Sequence, residues 1–203
     1  MGNNSGQKKL NLENHLERIF GEFPVIETNR FILKEISEIY RENFIEIFSD
    51  KEVMKYSGIE VSDPRKQADF YLRKVEAMYN NKKGIRWAII NKESGEFIGD
   101  IGFYNIDFYS NNTEIGYTIV KKFWRQGVAS ECIKAMKNFA FENLNMNRII
   151  AMIDSNNISS IKLSEKLGFH KDGVLREHYY NNSKDEYISI CVYSLIKNDI
   201  KYI

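Results

Sequence analysis

Apolar residues recur with a period of two along some stretches of the chain and with the helical period of 3.6 along others. The stretch Thr113–Ser130, TEIGYTIVKKFWRQGVAS, shows both patterns in succession. Its first part alternates Ile115, Tyr117 and Ile119 with polar or small residues, which predicts a strand. From Val128 onward the apolar residues recur on one helical face, which predicts a helix. A short basic turn joins the two elements.

The same two periods divide the rest of the chain into strands and helices. Asp63-Pro64 is typical of a helix start, because Asp caps the first turn and Pro fits the first helical position. The predicted strands are Glu27–Ile36, Ile85–Asn91, Glu96–Phe103, Thr113–Val120, Arg148–Ile153, Phe169–Glu177 and Glu186–Leu195. The predicted helices are Leu12–Phe20, Ser37–Phe48, Pro64–Tyr79, one that starts at Val128, and one from Asn157 to Leu167.

This order of elements predicts an α/β (α+β) fold with a mixed central sheet of about seven strands and helices on both faces. The sequence has no internal repeat, and neither of its two prolines interrupts a predicted element. A length of 203 residues suits one domain with a sizeable core. We assign residues 25–203 to that domain and residues 1–24 to an N-terminal extension with a short helix, and we expect residues 1–11 to be frayed.

Composition and charge are those of an ordinary soluble protein, with 43% hydrophobic and 28% charged residues. The 29 Lys and Arg residues nearly balance the 28 Asp and Glu residues, which argues against a dedicated nucleic-acid binder. No apolar run approaches about 18 residues, so we expect no membrane span. The N-terminus lacks the apolar segment of a secretory signal. We therefore expect a cytoplasmic protein without membrane or direct nucleic-acid partners.

The cysteines and histidines do not indicate metal chemistry. Cys132 lies on the apolar stripe of a predicted helix and Cys191 in a strand-like run, so we expect both to be core thiols. The three histidines are scattered along the chain. No metal-ligand spacing is present and no disulfide framework is implied, so we predict no metal site.

The turn inside Thr113–Ser130 has the features of an anion site. The first N–H groups of a helix have no backbone partner, and the helix dipole adds partial positive charge there. Gly127 allows a ligand to approach the backbone closely, and the small Ala129 and Ser130 keep the first turn open. The nucleotide motifs GxxxxGK[ST] and GxGxxG are absent. A strand–turn–helix unit is also common in α/β proteins that bind no anion, so the turn alone leaves both interpretations open.

The full run of residues resembles a known family. E-I-G-Y followed by W-R-Q-G-V-A-S-E is similar to the acetyl-CoA segment of the GNAT superfamily of N-acetyltransferases. It is most similar to the RimJ/RimL-like branch, the ribosomal-protein N-acetyltransferases. In the superfamily pattern Q/R-x-x-G-x-G/A, Gly127 and Ala129 match. Trp124 stands where Gln or Arg is usual, and Trp is frequent there in this branch.

A second motif, DSNNISSIKLSEKLGF at Asp154–Phe169, supports the same resemblance. The branch typically shows N-x-x-S followed by E-K-x-G-F, and Asn157 and Ser160 fit its first part. By itself the segment equally fits a helix capped by Asn157 and ended by Gly168. The resemblance covers about Glu27–Leu195. It implies the GNAT fold, in which two neighbouring strands splay apart and hold the pantetheine arm of the cofactor.

The resemblance implies acetyl-CoA as acyl donor. We expect the diphosphate on the N–H groups of Gln126–Ser130, with Arg125 and also Lys121 or Lys122 as charge partners. We expect the pantetheine on the backbone of Thr118–Val120. Asn157 is the side-chain candidate for a pantetheine hydrogen bond. The predicted cofactor-binding residues are Thr118, Ile119, Val120, Arg125, Gln126, Gly127, Val128, Ala129, Ser130, Asn157 and Ser160.

Transfer to an amine needs a base for the amine and a donor for the leaving thiolate. Many GNAT enzymes carry a Tyr seven residues after the Asn of the second motif, but that position is Ser164 here. The branch gives the thiol-facing role to the Ser of N-x-x-S, which makes Ser160 our candidate, although helix capping would use it equally well. For the base we name Glu114 first and Glu177 second, with Asp185 weaker. A solvated Glu at a strand end is an equal alternative for Glu114.

Three loops rich in aromatic residues are expected to wall the acceptor groove: Val53–Gly58, Tyr104–Tyr109 and Tyr179–Asp185. Their rings would enclose an amine or pack against the sheet. The resemblance implies a primary amine as acceptor, either a small molecule, a peptide, or the N-terminus of a ribosomal or other protein. It is compatible with a monomer or a homodimer.

We therefore predict an acetyl-CoA-dependent N-acetyltransferase that acts on a primary amine. The alternative is a non-catalytic acyl-CoA-binding module, which the missing Tyr and the uncertain base would favour. A nucleic-acid-associated protein is suggested only by the basic turn Lys121–Arg125, and the near-zero net charge disfavours it.

Overall fold

The fold consists of eight β-strands and six α-helices in the part of the chain that the computed structural model describes, residues 14–202. The strands are β1 (Ile26–Glu27), β2 (Phe31–Glu35), β3 (Gly84–Asn91), β4 (Phe97–Asp107), β5 (Asn112–Ile119), β6 (Arg148–Asp154), β7 (His170–Asn181) and β8 (Glu186–Ile196). The helices are α1 (residues 14–20), α2 (Arg41–Ser49), α3 (Lys51–Met54), α4 (Pro64–Asn80), α5 (Val128–Asn138) and α6 (Ile158–Lys166). Short 3-10 or π-helical turns cover Glu38–Tyr40, Lys121–Phe123, Phe139–Asn143 and Lys197–Tyr202.

The strands form one mixed sheet in the order β1-β2-β3-β4-β5-β6-β8-β7. Every neighbouring pair is antiparallel except β5 and β6, which are parallel. The predicted fold class is therefore confirmed. The predicted first strand, Glu27–Ile36, is divided by a turn in which the Thr28 N–H donates to the Phe31 carbonyl (2.9 Å). That division produces the two-residue strand β1, so the sheet has eight strands where about seven were predicted.

One face of the sheet packs against α1 and α5, because apolar side chains at alternate strand positions point towards it. On β3 these side chains are Ile85, Trp87 and Ile89, none of which has exposed surface. Cys132 and Met136 of α5 belong to the same buried cluster. The apolar stripe that the sequence predicts from Val128 onward thus meets the apolar face of the predicted strands.

The segment before the first strand packs into this core. Ile19 of α1 is buried in it, and the Trp87 indole N–H donates to the Pro24 carbonyl (2.6 Å). The predicted helix Leu12–Phe20 agrees with α1 over the described residues. Residues 1–13, which include the expected frayed start, lie outside them.

The opposite face packs against α2 and α4, with Phe44 and Val75 among the buried side chains. Helix α4 begins as predicted. The Asp63 carboxylate accepts a hydrogen bond from the Arg65 N–H (3.0 Å), and Pro64 is the first helical residue. Because both faces of the sheet carry helices, the middle strands are buried and have mainly apolar side chains on both faces.

Two segments outside the predicted strands and helices contain regular structure. Residues 50–58 include α3, a single turn that Asp50 caps. Residues 104–112 include the end of β4, which continues to Asp107. A one-turn helix shows no apolar period, and the end of β4 is irregular, since Asn105 has a φ of 52°. The apolar pattern therefore does not mark either feature.

Both cysteines are buried free thiols, as predicted. Burial raises the pKa of Cys132 to about 12, which keeps the thiol protonated and unreactive at neutral pH. Within residues 14–202, no helix combines the length and the apolar character needed to cross a bilayer. The same residues contain no group of three or more His, Cys, Asp or Glu side chains arranged to hold a metal ion.

Strands β5 and β6 separate after a short parallel contact. Asn112–Glu114 of β5 pairs with Arg148–Ile150 of β6, and the ladder ends there. Strand β5 nevertheless continues to Ile119, and β6 to Asp154. Since β4 and β8 occupy the outer edges of these strands, an open gap lies between the two within the sheet.

A buried ion pair lies between the sheet and helix α4. The Arg86 guanidinium donates two hydrogen bonds to one carboxylate oxygen of Asp100, the one from Nε being 2.8 Å long. The Tyr71 hydroxyl donates to the same oxygen (2.6 Å). The side chains of Arg86 and Asp100 are 9% and 1% exposed, so water cannot replace a lost partner. Breaking such a pair from one side is costly.

We expect the substitution Asp100→Asn to lower the free energy of unfolding by about 3 kcal/mol, because it leaves the buried Arg86 charge without its partner. Urea denaturation measures the change. The matched control is Glu27→Gln, which breaks the exposed Lys92–Glu27 pair and should lower the free energy of unfolding far less, because water replaces the lost partner. Equal losses in the two variants would show that the buried pair does not stabilise the fold.

Candidate functional site

The turn before α5 presents a row of unpartnered backbone N–H groups. Gly127 precedes the helix in the left-handed conformation, with a φ of 76°. Among residues 14–202, no group accepts a hydrogen bond from the backbone N–H groups of Gln126–Ser130. Residues 121–127 are exposed apart from the half-buried Phe123. The predicted diphosphate site is thus an accessible helix N-terminus with its donors free, a geometry that suits a phosphate group.

Arg30 adds a positive charge beside this turn. Its guanidinium donates to the Gln126 carbonyl (3.0 Å), and a Cβ atom at Gly127 would lie 3.5 Å from it. The Glu131 carboxylate orients Arg30 through its Nε (2.8 Å) and its backbone N–H (2.9 Å). Burial alone would raise the pKa of Glu131, but the hydrogen bonds from Arg30 and Thr28 outweigh it and lower that pKa.

Local sequence patterns do not indicate Arg30 as a site residue. Arg30 and Glu131 are 101 positions apart, and no local pattern joins them. The predicted charge partner, Arg125, lies in the turn with a φ of 60° and is exposed. Trp124 closes the turn, since its indole N–H donates to the Ile119 carbonyl (2.7 Å).

The gap between β5 and β6 exposes backbone groups of β5. The Val120 N–H donates to the Ile98 carbonyl of β4 (2.9 Å), and strand alternation directs the Thr118 backbone to β4 as well. Of the predicted range Thr118–Val120, only Ile119 directs its N–H towards the gap. Tyr117 has the same orientation, and it was not in the predicted set. These groups are suited to pair with the amides of an extended ligand.

A pair of hydroxyl groups lies on the α5 side of the gap. The Tyr117 hydroxyl and the Ser160 Oγ are 3.0 Å apart. Burial raises the pKa of Tyr117, so the phenol keeps its proton at neutral pH. The Ser160 hydroxyl does not cap helix α6. The capping oxygen comes from the Asn157 side chain, which accepts a hydrogen bond from the Ser160 N–H (3.1 Å). The sequence predicts Ser160 but not Tyr117, which is 43 positions away.

A carboxylate and a phenol lie on the opposite face, where the two strands begin to separate. Glu114 pairs with both Tyr104 and Ile150, and its Oε1 accepts from the Asn105 side-chain amide (2.8 Å). The Tyr104 hydroxyl lies over Gly116, 2.6 Å from where a Cβ atom would be. Burial raises the pKa of Tyr104, and the negative charge of Glu114 adds to this effect. Only glycine leaves room here for the ring.

The other predicted bases lie on the β7–β8 hairpin. Glu177 is exposed at a bulge of β7, where it has a φ of 49° and its N–H donates to the Ser189 hydroxyl (3.0 Å). Asp185 lies in the turn of the hairpin and accepts a hydrogen bond from the Tyr180 hydroxyl. Glu114, in contrast, lies at the start of the gap. Glu114 is therefore the predicted base that lies on β5 itself, next to the part of the strand that has no β6 partner.

Two of the three predicted groove loops meet. The Tyr179 ring reaches Gly58, where a Cβ atom would lie 3.5 Å from the phenol oxygen. The Glu60 carboxylate accepts from the Asn182 N–H (2.6 Å). The third loop, Tyr104–Tyr109, turns at the opposite end of β5, because it precedes that strand while the hairpin tip lies beyond the end of β6. From this loop, Tyr104 lies over Gly116 and the Asn105 amide donates to Glu114 at the start of the gap.

Known proteins are similar in sequence to this chain over most of its length. Residues 30–170 match the model of the acetyltransferase (GNAT) domain family. The chain is 38% identical over 175 residues to an uncharacterized N-acetyltransferase, YoaA, of Bacillus subtilis, a match that covers 86% of this chain and 98% of YoaA. It is 33% identical over 172 residues to an uncharacterized N-acetyltransferase, p20, of Bacillus licheniformis, with 85% and 96% coverage. The family resemblance of the two sequence motifs is confirmed.

Solved structures share the fold. A GNAT-family acetyltransferase from Bacillus anthracis has a TM-score of 0.74 at 24% identity and covers 86% of this chain and 99% of its own. RimL, a ribosomal L7/L12 α-N-protein acetyltransferase in complex with coenzyme A, has a TM-score of 0.74 at 15% identity, covering 85% and 98%. A spermidine N-acetyltransferase from Vibrio cholerae in complex with CoA and spermine has a TM-score of 0.73 at 16% identity, covering 84% and 97%.

We expect Gly127→Trp to weaken acetyl-CoA binding at least about tenfold, because the indole would cover the free N–H groups of the α5 turn. Isothermal titration calorimetry measures the dissociation constant. Gly95→Trp is the matched control, since Gly95 has a similar φ of 72° and no atom near its Cβ position. Both variants should lose about 1–2 kcal/mol of stability from the left-handed backbone. Unchanged affinity in the Gly127 variant would argue against this diphosphate site.

Proposed function

Since this chain belongs to the GNAT acetyltransferase family, we propose that it transfers the acetyl group of acetyl-CoA directly to a primary amine. The observation that carries the proposal is the gap between β5 and β6, which ends at the free N–H groups of α5. One extended ligand can use both features, with amides against the strand and a diphosphate on the helix. Acetyl-CoA has this order of groups.

In the proposed complex the diphosphate accepts hydrogen bonds from the backbone of Gln126–Ser130. Arg30 and Arg125 supply positive charge on two sides of the turn. The pantetheine pairs with the backbone of Tyr117 and Ile119. Asn157 contributes only its amide N–H₂, because its oxygen already caps α6. This arrangement places the acyl end near Tyr117 and Ser160.

The thiol side of the reaction is assigned to Tyr117 and Ser160. When the amine nitrogen attacks the acetyl carbonyl and the C–S bond breaks, negative charge develops on the sulfur. The Ser160 hydroxyl donates to that sulfur, and Tyr117 supports it through the 3.0 Å contact with a phenol that burial keeps protonated. Ser164 stands where many GNAT enzymes carry a Tyr, and it is buried in α6. In the proposed mechanism the phenol of Tyr117 on β5 takes the role of that Tyr.

The amine side is assigned to Glu114, on the opposite face of the sheet. The attacking nitrogen must be neutral, so the arriving ammonium loses a proton, which Glu114 accepts directly or through one water. Asn105 holds one carboxylate oxygen and leaves the other free for this role. Donor and base thus lie on two faces of one gap, and the reacting carbonyl lies between them.

The names of two structural neighbours indicate which amines to consider as acceptors. RimL acts on ribosomal L7/L12 and the Vibrio cholerae enzyme on spermidine, as their names state. We propose a peptide or small-molecule amine for this chain as well. The missing Tyr and the uncertain base favour the non-catalytic acyl-CoA-binding module. The proposed roles of Tyr117 and Glu114 answer these two points in favour of the enzyme.

A thiol-release assay with a panel of amines tests the activity. The panel contains spermidine and two peptides, one beginning with Ala and one with Ser. We expect CoA release with at least one of them and acetylated product by mass spectrometry. Binding of acetyl-CoA without release on any amine would favour the non-catalytic module.

We expect Ser160→Ala to lower kcat by about 10²-fold with little change in the KM for acetyl-CoA, since the hydrogen bond forms as the sulfur gains charge. Tyr117→Phe should lower kcat less, and the double variant should resemble Ser160→Ala, because the two hydroxyls act as one unit. Ser159→Ala is the control: its exposed hydroxyl only donates to Asn157 (2.9 Å). Additive losses would contradict the assigned pair.

We expect Glu114→Gln to lower kcat/KM for the amine by about 10²–10⁴-fold, because the amide cannot accept the proton. Glu177→Gln serves as the comparison and should change it less than about threefold. The reverse order would identify Glu177 as the base and overturn the assignment to Glu114. Circular dichroism and acetyl-CoA titration verify that both variants fold and bind the donor.

A further inference from the structure

A second carboxylate lies along the gap, in a residue that the proposed mechanism does not use. Asp154 is the last residue of β6, beyond the three positions where β5 and β6 pair. Ala151 and Ile153 point into the core beside α5, so alternation directs Asp154 to the opposite face, the face of Glu114. The residue is only 4% exposed.

One oxygen of this carboxylate has no partner. Oδ1 accepts from the Asn156 N–H (2.8 Å) in the turn that leads to α6. Oδ2 is buried and receives no hydrogen bond from any residue that the structure describes. Within residues 14–202, the other buried side-chain atoms without a hydrogen-bond partner are His15 Nε2 and Tyr79 Oη, neither of which belongs to β5 or β6. A buried carboxylate oxygen without a donor is unfavourable, so a donor from outside the chain is expected to complete it.

The neighbours of Asp154 identify the side from which that donor comes. Burial first, and then the negative charge of Asp154, raise the pKa of the Tyr179 phenol. The Tyr179 ring also reaches Gly58, where the two groove loops meet. Asp154 pairs with Ile190 of β8 and Tyr179 pairs with Ile188 of the same strand, so both side chains lie on one face of the sheet, close to the junction of these loops. A carboxylate next to an aromatic face is a favourable environment for an ammonium group.

Asp154 is too far along the strand to serve the reacting nitrogen together with Glu114. Glu114 pairs with Ile150, and Asp154 follows four residues later, roughly 13 Å at the usual strand rise. A carboxylate that held the reacting nitrogen as ammonium would also oppose its deprotonation. A positively charged group that binds to Asp154 therefore belongs to a part of the acceptor other than the reacting nitrogen.

We propose, on the basis of the proposed transfer reaction, that Asp154 binds a second positive charge of the acceptor. The substrate class is then an amine that carries another cationic group, such as a diamine, a polyamine or a peptide with a basic residue close to its N-terminus. Asp154 Oδ2 accepts a hydrogen bond from that group, and the Tyr179 ring lies against it. The reacting amine remains at Glu114.

The test compares matched acceptors with one and two charges. The small-molecule pair is octylamine and 1,8-diaminooctane, and the peptide pair differs by Gln or Lys at the third position. We expect the wild-type protein to prefer the doubly charged member by about tenfold or more in kcat/KM. Asp154→Asn should remove most of this preference by raising the KM of the doubly charged acceptor, with the KM for acetyl-CoA unchanged.

The control is Glu186→Gln, which removes an exposed charge that also raises the pKa of Tyr179. It should retain the preference. Equal turnover of both members by the wild-type protein would overturn the proposal even if Asp154→Asn failed to fold. A preference that survives Asp154→Asn would overturn it as well, while CoA release would still support the transfer reaction. If no amine of either pair is acetylated, the transfer reaction itself fails and this inference falls with it.

Discussion

The early separation of β5 and β6 is the constraint on which the rest of the structure depends. The strands pair at only three positions, and the free backbone of β5 then faces an opening inside the sheet. Backbone groups in such a position need partners. Beyond the opening, β5 leads into the turn before α5. The unpartnered N–H groups of this turn are suited to bind one end of a ligand that fills the opening. The separation of the two strands therefore produces both the opening in the sheet and the site proposed for acetyl-CoA.

The gap separates two kinds of chemistry by strand alternation alone. Odd positions of β5 point to the α5 side, where Tyr117 meets Ser160. Even positions point to the α2–α4 side, where Glu114 lies and where Asp154 of β6 also projects. Hydroxyl donors suited to a leaving sulfur thus lie across the sheet from carboxylates suited to an amine. A one-residue change of register would exchange the two sets.

The strand beside the gap has a rigid support. Gly102 and Gly116 pair directly across β4 and β5, and the side chains of Arg86 and Tyr104 lie on them. Arg86 in turn is held by Asp100 and lies 5.8 Å from the centre of the Tyr104 ring. The Tyr104 phenol, which lies on the same face as Glu114, therefore packs against the buried Arg86–Asp100 pair. Such preorganisation maintains geometry as a substrate reacts.

The sequence by itself determined the features whose signals are local. Asp63-Pro64 marks the start of α4, the apolar stripe from Val128 marks α5, and the glycine turn before it marks the N-terminus of that helix. The tertiary structure alone decided which distant residues meet. Arg30 reaches the α5 turn across 96 positions, and Tyr117 meets Ser160 across 43. These contacts depend on strand order and register, which side-chain periodicity does not encode, because the same alternation fits any neighbouring strand.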